Sequence, residues 1–239
     1  VNQAANVLRG LGLQAEDRVM LALHDTIDFP VMFLGAITAG IIPIATNTLL
    51  TTQDYRFMLA DSRARALVVS APLCATFAPL LAEAPSLQHV IVSGDASLAA
   101  DEHPLAALLA ASSPTFTPAS TTADDACFWL YSSGSTRAPK GTVHVHSSLI
   151  HTAELYARPI LGLTEHDVVF SAAKLFFAYG LGNALTFPLT VGASVVLMAE
   201  RPTPQACFKR FTELKPTVFY GAPTGFGGML ASPDLPDKT

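Results

Sequence analysis

With 239 residues, half of them hydrophobic, 14% charged and a net charge of -5, the chain can bury a sizeable core and is too apolar to be intrinsically disordered. It carries no basic run, which removes the electrostatic case for a nucleic acid partner. Its three cysteines, Cys74, Cys127 and Cys207, form no C-x-x-C pair; this disfavours a disulfide framework or a zinc site and fits a reducing, cytoplasmic setting.

The chain opens on V-N-Q-A-A-N-V-L, without an initiator methionine or the charged start of a signal peptide, and ends in a turn-rich stretch over 232–239. A domain incomplete at both ends is therefore expected. Residues 29–53 are uncharged and long enough to span a membrane. Gly40 and Pro43 interrupt them, threonines dilute them and no Lys/Arg cluster flanks them, so a buried helix and strand are expected and no membrane partner. On that reading Asp28 caps the helix, Pro30 sits in its first turn and Gly40 stops it.

Short apolar runs of β type alternate with helical patterns. The first strand is expected over 18–23, then a helix from Asp28, a strand over 41–45, and a helix opened by Thr51 or Thr52. A strand over 66–70, a helix over 72–83 and a strand over 89–93 follow. Residues 98–123, rich in Ala, Ser, Thr and Pro, read as a surface connection with one short helix at 104–111, separating sublobes 1–97 and 124–239. Beyond it come strands over 126–131 and 142–146, a helix from Ser147 to about 158, a strand over 167–170 and a helix over 180–189. Strands over 193–197 and 217–220 and helices from Thr203 and Pro223 complete the pattern. Strands apolar on both faces and joined by helices predict an α/β fold with parallel sheets covered on both sides.

The stretch with the most chemistry is Y-S-S-G-S-T-R-A-P-K-G, residues 131–141. Phosphate binding needs convergent N–H and O–H donors, a backbone that can approach closely and usually a cation. Ser132, Ser133, Ser135 and Thr136 offer hydroxyls, Gly134 the close approach and Lys140 a point charge on a flexible stem. The P-loop pattern fails, because Pro139 stands where it needs glycine and Gly141 where it needs the hydroxyl that holds magnesium. The T-V-H-V-H alternation that follows predicts a hairpin, with the loop between two strands. The same residues also suit a plain solvated turn.

That run resembles the phosphate-loop signature of the adenylate-forming superfamily of AMP-forming acyl-CoA ligases, adenylation domains and luciferases. D-F-P-V-M-F-L-G-A-I-T-A-G-I-I-P-I-A at 28–45, K-L-F-F-A-Y-G-L-G-N at 174–183 and T-V-F-Y-G-A-P-T at 217–224 are similar to further core motifs of that superfamily. Together with F-W-L-Y-S-S-G-S-T at 128–136, H-V-H at 144–146 and A-E-L-Y at 153–156, they look most like the benzoate-CoA ligases and their aryl-acid relatives.

The resemblance implies two stacked βαβ-type subdomains of an adenylate-forming N-terminal domain. It also implies a two-step reaction in which ATP and an aromatic acid give an acyl-adenylate, which coenzyme A then converts to a thioester. Ser132, Ser133, Gly134, Ser135, Thr136 and Lys140 would contact the pyrophosphate. Phe177, Ala178, Tyr179 and Gly180 would wall the aryl pocket, with Tyr220, Gly221 and Ala222 lining it further. Phe177 falls at the family's gate to the pantetheine tunnel. The magnesium ligand, the adenine and ribose motifs and the catalytic lysine would all lie beyond Thr239, so no catalytic residue is assigned within the chain and ligase activity is not expected of it alone.

Two rivals stay open: another adenylate-forming enzyme, such as a fatty-acyl-CoA ligase or adenylation domain, and a non-catalytic nucleotide-binding module. A metal site at His144, His146, His151 and Glu154 is the weaker reading beside ordinary packing. No G-x-S-x-G exists for a serine nucleophile, and neither Gly180/Gly182 nor Gly225/Gly227 completes a dinucleotide fingerprint. Arg137 departs from the family's glycine. If that position needs a left-handed backbone, arginine costs about 1 to 2 kcal/mol. Arg137→Gly in the full-length enzyme is then expected to lower KM for ATP, whereas an unchanged or higher value would make the guanidinium a working contact.

Overall fold

The computed structural model describes residues 1–95, 102–132 and 139–236. The chain divides into two compact units, Val1–His146 and Ser147–Thr239.

In the first unit, β1 (Arg18–Ala22), β2 (Ile42–Ala45), β3 (Ala66–Ser70), β4 (His89–Ser93), β5 (Glu102–Pro104), β6 (Ala126–Ser132) and β7 (Lys140–Val145) build one seven-stranded sheet in the order β5-β4-β3-β1-β2-β6-β7. All neighbours run parallel except β6 and β7, which are antiparallel. Helices α1 (Asn2–Gly10), α2 (Asp28–Thr38), α3 (Thr52–Ser62), α4 (Cys74–Phe77) and α5 (Leu105–Ala111) connect or cover them. The step from β1 to β2 and the return over β1 to β3 run in opposite directions, so right-handed crossovers put α2 and α3 on opposite faces. Burial on both faces explains the near-continuous apolar strands. Met20, Leu67 and Val69 pack with Tyr55, Met58 and Leu59 of α3, and the alternate residues Val19, Leu21 and Val68 are equally buried.

Local chemistry accounts for several boundaries. Thr51 caps α3 through a capping box, its hydroxyl accepting from the Asp54 N–H while the Asp54 carboxylate accepts from the Thr51 N–H. Gly40, at φ +72°, follows the end of α2 as expected. Asp28 does not cap α2. It lies in the first turn, where its carboxylate accepts from the Ser93 hydroxyl of β4 at 2.6 Å. The helix expected over 72–83 is broken into a 3-10 turn (Ala71–Leu73), α4 and a second 3-10 stretch (Ala78–Glu83). Pro79 has no N–H for a helical bond, and its ring would strike the carbonyl four residues earlier.

The two compact units divide after His146, beyond the 98–123 connection read from the sequence. That segment contributes β5 to the edge of the sheet, and β6 beyond it pairs with β2, so the first unit runs on to His146. Backbone pairing across more than 80 residues of separation is what a sequence window cannot see.

In the second unit, β8 (Val168–Ser171), β9 (Ser194–Val196) and β10 (Val218–Tyr220) form a parallel sheet in the order β10-β8-β9. Helix α6 (His146–Thr152) continues through a π turn at Ala153–Ala157. Helices α7 (Ala178–Leu181) and α8 (Phe187–Val191) flank another at Gly182–Thr186, making one interrupted helix where an unbroken one was expected over 180–189. The Phe187 N–H reaches back to Gly182, and Pro188 has none to offer, so the ladder widens just before the proline. Helices α9 (Pro204–Leu214) and α10 (Pro223–Leu230) complete the unit. Among the described residues no helix is long and apolar enough to cross a membrane.

Candidate functional site

The β6/β7 hairpin, on either side of the loop expected to bind phosphate, lies at the carboxyl edge of the first sheet, where open α/β sheets bind ligands. The register pairs Leu130 with Thr142, Tyr131 with Gly141 and Ser132 with Lys140. Ser132 and Lys140 therefore face each other at the mouth, both exposed. Ser133, Gly134, Ser135, Thr136 and Arg137 lie outside the described residues, and so does any test of the Arg137 backbone. A strand on either side of the loop is the hairpin expected from the sequence, and it differs from the strand-to-helix turn of a P-loop.

Pairing of β6 with β2 covers Trp129 and Leu130 only. Tyr131 and Ser132 thus pair with β7 alone. From Tyr131 the hydroxyl donates to the Asp61 carboxylate of α3 at 2.6 Å, and burial followed by that carboxylate pushes the phenol well above its usual range. Asp61 carried no signal in the sequence, since an aspartate in the last turn of a helix looks like ordinary solvated surface.

In the second unit the expected aryl-pocket segment follows β8. The Ala172 N–H donates to the Tyr220 carbonyl at 2.8 Å, which fixes this segment beside β10. Lys174 donates from Nζ to the carbonyls of Met198 and Glu200, the latter at 2.7 Å. Phe177 then turns the chain into α7, its N–H on the Lys174 carbonyl at 3.0 Å. The turn presents Phe177, Ala178 and Tyr179 as an exposed apolar and aromatic face, with Phe177 46% and Tyr179 51% exposed. The Tyr179 and Tyr220 rings meet edge to face at 6.3 Å, and Gly221, half-buried, follows directly.

Gly180, also expected in the aryl wall, sits deeper than Phe177, Ala178 and Tyr179. It is buried beneath that face, and a Cβ there would come within 2.1 Å of the Lys174 carbonyl oxygen and 2.6 Å of that of Ala173. Its small size serves a close backbone approach.

Tyr220 is itself buried, and its hydroxyl has no hydrogen-bond partner among the described residues. Burial, then the neighbouring Tyr156 and Tyr179, push its phenol up to about 12. Removing an orphaned buried hydroxyl takes away a desolvation penalty, so Tyr220→Phe is expected to leave the unfolding free energy unchanged or raise it by about 1 kcal/mol in chemical denaturation. A loss of about 1 kcal/mol or more would mean that the hydroxyl has a partner.

Among the described residues no three His, Cys, Asp or Glu side chains gather as a metal-holding group. His144 instead stacks on Phe128, ring centroids 4.6 Å apart and planes 2° from parallel, and burial lowers its pKa. Glu154 pairs with Arg158 at 3.0 Å.

Comparison with known proteins supplies the wider frame. The chain is 62% identical over 239 residues to the benzoate–CoA ligase of Thauera aromatica, covering all of this chain and 45% of that protein. It is 46% identical over 243 residues to the 4-hydroxybenzoate–CoA/benzoate–CoA ligase of Rhodopseudomonas palustris, covering 44% of it. A crystal structure of a benzoate CoA ligase from Burkholderia xenovorans superposes with a TM-score of 0.90 at 51% identity, over 98% of this chain and 46% of that one. The chain thus spans under half the length of these relatives. The family described as AMP-binding enzyme matches residues 1–239, and with that match running from end to end the chain belongs to the AMP-binding enzymes.

Proposed function

We propose that the chain is part of an ATP-dependent aryl-acid:CoA ligase acting on benzoate or a close aromatic relative, with ATP and coenzyme A as co-substrates. The observation that carries this reading is the 62% identity to a benzoate–CoA ligase along the whole chain, which includes the 174–180 segment. In the reaction proposed, a carboxylate oxygen attacks the α-phosphorus of ATP, the bond to the β-phosphate bridging oxygen breaks and pyrophosphate leaves. The thiolate of coenzyme A then attacks the acyl carbon and AMP departs with the electron pair.

Each unit has residues suited to one part of this work. In the first, the Lys140 ammonium and Ser132 hydroxyl at the hairpin mouth oppose the charge that builds on departing pyrophosphate. Such donors accelerate the step to the extent that they bind the transition state more tightly than ATP. In the second, Phe177, Ala178 and Tyr179 offer a flat ring an apolar, aromatic face, and Tyr220 backs Tyr179. Magnesium accompanies ATP in such chemistry; the described residues show no group of ligands for it, and no step is assigned to it. The three cysteines are free thiols, two of them buried, which supports the reducing cytoplasmic setting.

The test is a substrate screen on the full-length protein, following pyrophosphate release and thioester formation with benzoate, hydroxybenzoates and fatty acids. Benzoate-dependent turnover requiring both ATP and coenzyme A is expected. Preference for a fatty acid would support the other adenylate-forming reading, and absence of ATP-dependent turnover would support the non-catalytic one.

A further inference from the structure

We infer that Asp61 and Tyr131 act as a tether that positions the phosphate hairpin, so that Asp61, on a helix far from the loop in sequence, helps set how tightly ATP is held. The inference rests on the proposed role of the hairpin.

The need for a tether follows from the pairing. Strand β7 is the edge of the sheet, and β6 leaves its pairing with β2 at Leu130. Beyond that point, among the described residues, the backbones of Tyr131, Ser132, Lys140 and Gly141 pair as a two-stranded ribbon with no third strand beside it. An isolated ribbon twists and splays readily, yet the two groups expected to meet phosphate, Ser132 and Lys140, sit on its last pair.

Tyr131 is the residue that resists this motion. Its ring packs against the core cluster containing Tyr55, Met58 and Leu59 of α3, and its hydroxyl is bonded to Asp61 at 2.6 Å. Across the ribbon its partner is Gly141, where an added Cβ would stand only 3.4 Å from the Tyr131 ring. The ring thus holds one strand of the ribbon and lies close under the other, one residue short of Ser132 and Lys140.

Asp61 fits the role for its own reasons. In the last turn of α3 a carboxylate meets the negative end of the helix dipole, a poor place for it on local grounds. Among the described residues it forms no ion pair, and the Tyr131 hydroxyl is the donor it receives. A short bond to a charged acceptor is stronger and more directional than a neutral one, which suits a group whose task is to fix a distance.

The experiment uses the full-length protein with Tyr131→Phe, Asp61→Ala, the double variant and Asp61→Asn, which keeps an acceptor oxygen. Tyr131→Phe and Asp61→Ala are each expected to raise KM for ATP about tenfold, as for loss of one charge-assisted bond. KM for the aromatic acid should stay unchanged, the double variant should be no worse than either single one, and Asp61→Asn should recover most of the wild-type value. Equal changes in both KM values, additive effects or a lower melting temperature with unchanged KM for ATP would overturn the tether. If the wild type shows no ATP-dependent activity, the proposed function fails instead. Amide hydrogen exchange of residues 131, 132 and 140–142 then decides the tether by itself, with faster exchange in Tyr131→Phe expected and an unchanged rate overturning it.

Discussion

Gly180→Ala is expected to destabilise the second unit by roughly 3 kcal/mol, the upper range for forcing extra volume into a packed interior. Position 180 lies in α7, where alanine would ordinarily gain about 1 kcal/mol over glycine. Here the new methyl would stand 2.1 Å from the Lys174 carbonyl oxygen and 2.6 Å from that of Ala173. Both neighbours are backbone, so neither can swing aside as a side-chain tip could. The Lys174 carbonyl already accepts from Phe177, and its ammonium is bonded to two further carbonyls. Relief must come by moving the turn that carries Phe177, Ala178 and Tyr179, so the clash outweighs the helix propensity. In thermal unfolding the loss corresponds to a fall of roughly 6 to 12 °C for a chain of this size. KM for the aromatic acid in the full-length protein should rise with it. A stable Gly180→Ala protein with unchanged KM would show that the backbone approach is looser than described.

Lys140→Ala is expected to do the reverse, sparing the fold and removing chemistry. Lys140 is exposed, and its backbone pairing with Ser132 does not depend on the side chain. Stability should therefore stay within about 0.5 kcal/mol of wild type, as for ordinary surface substitutions. If the ammonium opposes charge on departing pyrophosphate, its loss should lower kcat/KM for ATP by about 100- to 1000-fold, the range for deleting one preorganised donor. Lys140→Arg should recover part of this, since a planar fork replaces a point charge on a flexible stem. Steady-state kinetics with ATP varied at saturating aromatic acid gives the first number and chemical denaturation the second. A drop below about tenfold would remove Lys140 from the phosphate contact.

Much of this was legible residue by residue. Alternation between apolar runs and helical patterns located every strand of the sheets except β5, whose three residues end on Pro104 and make an edge that no periodicity announces. The hairpin was readable because Pro139 and Gly141 rule out the P-loop geometry and the T-V-H-V-H alternation that follows is a strand pattern. Harder to read were the π turns and the broken segment over 71–83. There Pro79 and Pro188 each leave a helix without a bond, and how the chain repairs that depends on what packs against it.

By itself the sequence determined the α/β alternation, the two strands flanking the Ser/Gly-rich loop and the aromatic segment at 174–180, because each depends on spacing and residue type within a short window. Only the tertiary structure decided that β6 joins the first sheet, that Gly180 serves carbonyl packing and that Asp61 grips Tyr131. These rest on contacts between residues distant in sequence or on atoms meeting within about 3 Å, where a hydrogen bond forms or a methyl group no longer fits. Residue order carries no direct record of such distances.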